Sequence, residues 1–175
     1  MRLLIYGFGP YRQFRNNVTE KILRQLPGRS GLKKVVFPVR FHKNQFLSRI
    51  KKHRPDIILG LGQCSRGQRM RIESQAANRR RGHPEAAVKP ILAGGTPALR
   101  TNLELALGRH GKPSNRAGEY VCNYSMYVIL DFIKRRQLPV RFGFIHVPHH
   151  YDDKKALGIL AKAIGKIQKA PRKPS

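Results

Sequence analysis

Acid is what this sequence has least of: 9 Asp and Glu stand against 36 Lys and Arg in 175 residues, a formal charge of +27. A balance this lopsided predicts a strong positive field, attractive to nucleic acid, anionic lipid or acidic partners. The densest basic knots are Lys51–Lys52, Arg79–Arg81, Lys134–Arg136 and the stretch 166–173. No aromatic residue is set among them to stack a base. That pattern argues for a solvated basic surface and, at most, non-specific polyanion binding that weakens with salt. No apolar run approaches the roughly 20 residues a membrane-crossing helix needs. The opening MRLLIYGFGP has too short an apolar stretch for a signal peptide and no small-residue cleavage site. The only cysteines, Cys64 and Cys122, exclude a disulfide framework and suggest a reducing, cytoplasmic setting.

What is present alternates. RLLIYGF (2–8), KKVVFPV (33–39), DIILGLG (56–62), RMRIESQA (69–76) and VRFGFIHV (140–147) read as strands. Pro38 marks the second as an edge strand or the site of a bulge. Residues 18–26, 43–53, 99–109, 119–136 and 153–169 read as helices, the first capped by Asn17, with Glu20 three residues later. Residues 79–97 are basic, rich in Gly and Pro, and read as a loop. Strands alternating with helices predict an α/β layer fold with a largely parallel sheet. No repeat or boundary divides the chain, so residues 1–170 are expected to be one domain, with a frayed basic tail at 171–175. Ligands of such folds sit beyond the carboxyl ends of the strands. Three polar or glycine-rich segments lie there: GFGPY, GLGQCSRG and HVPHH.

Cys122 sits where the polar stretch SNRAGEY runs into the apolar helix pattern. A thiol reacts as thiolate, and a base or a helix N-terminus lowers its pKa. With the helix starting near Glu119, Cys122 meets the second condition. His146, at the carboxyl end of a buried strand, is the candidate base. Glu73, one of few acids and set among apolar neighbours, is the candidate carboxylate to orient the imidazole. On residue types alone, a cysteine placed like Cys122 is more often core filler than nucleophile, and a buried salt bridge to an arginine would explain Glu73 equally well.

The same residues resemble a known family, pyroglutamyl peptidase I, the C15 cysteine peptidases. Its nucleophile signature is similar to SNRAGEYVCNYSMY (114–127), its histidine segment to GFIHVP (143–148), and its amino-terminal motif to GFGPY (7–11). The spacing from Gln63 to Glu73, and on to Asn78, also follows the family, as do Asn17 and Thr19. The resemblance implies a three-layer α/β/α sandwich around a twisted, mostly parallel sheet. It implies removal of an N-terminal pyroglutamyl residue from peptides through a thioester, with no metal or organic cofactor. Cys122, His146 and Glu73 would be the catalytic residues; Phe8 and Tyr11 would sandwich the lactam ring and Gln63 would line its site. A dimer or tetramer is compatible with it.

The chain departs from the family pattern at Arg12-Gln13, at CSRG after Gln63, at Ser74, and in the RRRGH run, where Arg81 or His83 faces a family arginine. The loop near 82–92 and the segment after Pro148 are short. Two other readings compete. One is a weakly active or inactive relative that binds nucleic acid through its basic face. The other is a metal site in HVPHHYDD, which is set aside because His146 already has a role and the rest fall in a loop.

Overall fold

The computed structural model describes residues 1–11 and 15–169, so Arg12-Gln13 and the tail 171–175 lie outside the described residues. In chain order the elements are β1 (Leu3–Phe8), α1 (Val18–Gln25), β2 (Leu32–Phe37), α2 (Lys43–His53), β3 (Ile57–Cys64), β4 (Met70–Glu73), β5 (Gln75–Ala77), β6 (Ala98–Arg100), β7 (Gly111–Ser114), α3 (Val121–Arg135), β8 (Arg141–Pro148) and α4 (Asp153–Lys169). The main sheet has six strands in the order β2-β1-β3-β8-β4-β7; β5 and β6 pair separately as a short antiparallel ribbon. Within the main sheet every pairing is parallel except β4 with β8.

Alternation along the strands divides the core in two. Leu3, Ile5, Ile57, Leu59, Leu61 and Ile145 face α1 and α4. Leu4, Tyr6, Phe8, Ile58, Phe142 and Phe144 face α2 and α3. Strands β1, β3 and β8 are apolar on both faces because helices cover both. The expected α/β/α sandwich with a mostly parallel sheet is therefore what forms. β2 lies at one edge, as Pro38 suggested, and its lysines blunt that edge.

Residues 99–109 are not the helix their sequence predicts. After β6 the chain runs extended to a single 3-10 turn at Gly108–His110. Leu103 and Leu107 are buried and Leu105 half-buried, a period of two that a helical reading of the same leucines overlooks. The extended path is pinned by distant partners. The Phe142 amide donates to Asn102 Oδ1 at 2.6 Å, the Asn102 and Leu103 amides donate to the Phe142 carbonyl, and the Thr101 amide donates to the Ser74 carbonyl. RMRIESQA is likewise two strands, broken at Ser74, whose amide turns to the Ser114 carbonyl at 2.7 Å.

Glycine at position 60 is a packing requirement. A Cβ there would lie 2.4 Å from Phe144 Cδ2 and 2.7 Å from Tyr6 Cζ. Gly60→Ala is expected to lower unfolding stability by about 1–3 kcal/mol, since neither ring can retreat in a close-packed core. Gly28→Ala, where a Cβ meets nothing within 4 Å, is expected to stay within about 0.5 kcal/mol of the parent. Urea midpoints of the two variants test the contrast.

Candidate active site

A cavity of about 190 Å³ opens at the carboxyl ends of β1, β3 and β8, beside the start of α3. Each wall has a local cause. At the β1–α1 turn, Asn17 caps α1, accepting from the Thr19 amide at 3.0 Å while its Nδ2 donates to the Gly9 carbonyl. The Phe8 amide donates to Thr19 Oγ1, which fixes the turn on the other side. Glu20 does not complete a capping box; it accepts from Arg24 at 2.7 Å. The turn holds Phe8, packed edge-on against Tyr6, and Tyr11, whose ring leans on Tyr120 at 5.9 Å. Phe8, Tyr11 and Tyr120 all line the cavity. So does Gln63, whose Oε1 accepts from the Val18 amide at 2.9 Å. Its Nε2 is buried and has no partner among the described residues.

α3 begins at Val121, with Tyr120 as N-cap, two residues later than the sequence suggested. Cys122 is thus its second residue. No side chain caps this end, so the first amides of the helix have no intrahelical or side-chain partner there. A Cβ placed on Gly62 would lie 2.7 Å from Cys122 Sγ and 2.9 Å from His146 Cδ2. Sulfur and imidazole therefore close around one point above β3, room that only glycine leaves. From below, Ser125 Oγ donates to the Cys122 carbonyl at 2.8 Å and meets the Tyr6 hydroxyl at 3.0 Å, tying the first turn of α3 to β1. Asn123 anchors the same turn sideways, accepting from the Ala77 amide and donating to the Ala77 and Arg79 carbonyls. Asn78, half-buried just before the 79–97 loop, pins that loop: it donates to the Leu92 carbonyl and accepts from the Ile91 and Leu92 amides.

His146 Nδ1 and Glu73 Oε1 are 2.7 Å apart, with both side chains buried. The antiparallel register explains the contact: Arg71 lies opposite His146 and Glu73 opposite Phe144, so Arg71, Glu73 and His146 share one face. Arg71 Nε is 3.3 Å from the same carboxylate oxygen. The two uses foreseen for Glu73, orienting an imidazole and pairing with an arginine, thus occur together. Burial works to raise the Glu73 pKa, but the His146 bond and charge, Ser114 and Arg71 outweigh it and hold the carboxyl below its usual value. Burial lowers the His146 pKa despite the carboxylate, so the imidazole is neutral at pH 7. A neutral ring that gives Nδ1–H to Glu73 leaves Nε2 free as a base.

The family model for pyroglutamyl peptidase matches residues 1–158. The chain belongs to the pyroglutamyl peptidase family. A pyrrolidone-carboxylate peptidase of Staphylococcus saprophyticus is 32% identical over 170 residues, covering 85% of this chain and 78% of its own. A solved mutant pyrrolidone carboxyl peptidase from the hyperthermophile Pyrococcus furiosus superposes with a TM-score of 0.84 at 25% identity, covering 97% of this chain and 99% of that one. The pyroglutamyl peptidase I of Bacillus amyloliquefaciens superposes at 0.77 with 27% identity, covering 95% and 91%.

Several features of this pyroglutamyl peptidase site differ from what its sequence suggested. The thiol is not lowered by the helix start: burial pushes Cys122 up to about 12, with Cys64 and Glu73 adding to the rise and Arg71 opposing it. Cys64 lines the same cavity, its own pKa raised by burial, and its sulfur donates to the Arg66 carbonyl at 3.4 Å. Arg81 does not line the cavity; it holds Glu119, which does, at 2.9 Å. Tyr120, Val39 and Arg71 line the cavity without having been singled out. Tyr120 lay inside the quoted motif, and Arg71 two residues before Glu73 on an alternating strand, so both carried a signal. His149 and His150 pack edge-on against each other at 5.0 Å, and among the described residues no three His, Cys, Asp or Glu converge on a metal position.

A neutral resting thiol has a kinetic signature. Alkylation of Cys122 by iodoacetamide is expected to keep rising through pH 9, the ordinary thiol value, with no plateau near neutrality. Saturating 2-pyrrolidone is expected to slow it by filling the cavity. Peptide mapping against pH measures both; a plateau by pH 7 would show a preformed thiolate.

Proposed function

We propose that this chain removes N-terminal pyroglutamyl residues from peptides, with Cys122 as nucleophile, His146 as acid–base and Glu73 as the carboxylate that orients it. The observation that carries the assignment is the 2.7 Å His146–Glu73 contact, buried beside the one cavity wall that holds Cys122. His146 Nε2 takes the thiol proton as Sγ attacks the exocyclic carbonyl of the pyroglutamyl residue. The tetrahedral oxyanion forms against the uncapped amides at the start of α3, where partial positive charge is already oriented. His146 then returns its proton to the leaving amine, and the thioester remains. Water, deprotonated by the same imidazole, hydrolyses the thioester and releases pyroglutamate and the free thiol.

The lactam ring is flat and carries one carbonyl and one N–H. Aromatic faces from Phe8 and Tyr11 suit its plane, and the unpaired Gln63 Nε2 suits its carbonyl. A cavity of about 190 Å³ accepts a small ring and excludes an extended peptide, which fits cleavage after the first residue only. The two unpaired cysteines fit a reducing compartment, and we place the enzyme in the cytoplasm. No helix among the described residues is long and apolar enough to cross a membrane.

Release of a chromogenic amine from a pyroglutamyl conjugate tests the assignment. Cys122→Ala and His146→Ala are each expected to lose at least about 1,000-fold in kcat with the fold intact, because nucleophile and base act as a unit. Gln63→Leu is expected to lose about 10- to 100-fold in kcat/KM. Activity that survives in Cys122→Ala would refute the mechanism, and loss in Cys64→Ala alone would move the nucleophile to the other thiol.

A further inference from the structure

The order of strands lays the site out as a line, and one end of that line has no role in the chemistry above. Phe8 ends β1, Gly62 with Cys122 above it is on β3, His146 is on β8, Arg71 on β4 and Lys112 on β7. Register makes this a true row: Gly62 pairs with His146, His146 with Arg71, and Arg71 with Lys112. Directly paired residues project from the same face of a sheet. The lactam ring lies at the β1 end and the sulfur attacks above β3. The proton that frees the amine comes from His146, so the amine departs on the imidazole side. The residue behind that amine then lies over β4.

Arg71 lines the cavity with its side chain 29% exposed, neither sealed in the core nor fully in water. Its Nε faces the Glu73 carboxylate at 3.3 Å but makes no hydrogen bond there. Among the described residues Glu73 is its sole acidic partner, and that carboxylate is shared with His146. Glu119, the acid that lines the cavity, is already held by Arg79 and Arg81. The guanidinium therefore presents positive charge to whatever follows the scissile bond, with the exposed Lys112 next in the row. An acidic side chain at that position would gain a charge-assisted, bidentate partner; a basic one would meet repulsion.

We propose that Arg71, seconded by Lys112, makes this enzyme selective for pyroglutamyl peptides whose second residue is acidic. The selectivity rests on the pyroglutamyl-peptidase assignment and adds to it the chemistry of the leaving group. The overall charge of +27 attracts any anion, so the variants must separate a local contact from the general field.

The experiment compares kcat/KM for pyroglutamyl-glutamate amide, pyroglutamyl-glutamine amide and pyroglutamyl-lysine amide at 150 mM salt. The wild type is expected to favour the glutamate substrate over its neutral isostere by about three- to tenfold, the range of one partly screened ion pair, and to turn over the lysine substrate most slowly. In Arg71→Gln the glutamate-to-glutamine ratio is expected to fall to near one, whatever happens to the absolute rate, while Arg71→Lys keeps most of it. Lys112→Gln is expected to lower the ratio partially. Should Arg71→Gln turn over too slowly to measure, calorimetric binding of the two peptides to Cys122→Ala with and without Arg71→Gln reads the same ratio. Equal rates on the glutamate and glutamine substrates, or a preference that persists in Arg71→Gln, would overturn the selectivity and leave the peptidase assignment standing. No turnover of any pyroglutamyl amide would remove both.

Discussion

A carboxylate taken out of water must be paired, or the fold loses several kcal/mol for each uncompensated charge. Glu73 is fully buried at the end of β4, between β8 and the edge strand β7, and the arrangement around it answers that demand. His146 reaches it across the single antiparallel step in an otherwise parallel main sheet, and Arg71 stands two residues away on its own strand. In a parallel sheet, β4 would have pointed its carboxyl end with the others. Running against β8, it instead sets Glu73 one pleat below His146, deep enough to be dry and near enough to bond Nδ1 at 2.7 Å. The cost of burying Glu73 is what makes the imidazole orientation single-valued: any other rotamer of His146 would leave the carboxylate short of a donor.

The same logic explains why the thiol rests neutral. Cys122 sits against Gly62 and the His146 ring, and burial raises its pKa to about 12. Arg71 and the backbone amide of Cys122 itself oppose that rise and do not overcome it. A neutral thiol beside a neutral base is inert to stray electrophiles, and in the proposed reaction it becomes a nucleophile only as the proton moves to Nε2. Charge then appears on the imidazole, next to Glu73, and on the oxyanion, next to the helix amides. Both new charges form where fixed partners already wait, so little reorganisation accompanies the barrier. Gly62 is the geometric condition for this arrangement, as Gly60 is for the Phe144 and Tyr6 rings that support it.

Much of this was legible in the sequence where the interactions are local. β1, β3 and β8 announced themselves as apolar runs, and α1, α2, α3 and α4 by period and flanking residues. The residues proposed as nucleophile, base and carboxylate were picked out by position at strand ends and helix starts, and by a family resemblance. What failed was non-local. The leucines at 103, 105 and 107 fit either period, and the choice was made by Asn102 bonding to β8, about forty residues away in sequence. The thiol pKa was misjudged for a related reason. A helix start is visible in sequence, whereas desolvation depends on what the sheet and the β3–β4 turn bring around the sulfur.

The excess of base looks different once the chain is folded. Among the described residues, Glu20, Asp56, Glu73, Glu119, Asp131 and Asp153 form ion pairs with Lys, Arg or His. The Arg79–Arg81 knot, one of the densest basic runs in the sequence, braces a residue of the cavity wall. Arg79 and Arg81 hold Glu119, and Arg80 lies over the Phe41 ring at 5.6 Å. Most other cations remain in solvent, where a screening length of about 8 Å at physiological salt cancels them at a distance. The charge that acts on the chemistry is therefore not the formal +27 but the few cations inside that length and partly out of water. Arg71 meets both conditions, since it lines the cavity and touches Glu73. A surface lysine removed elsewhere changes the total by the same unit and leaves the field at the sulfur almost as it was.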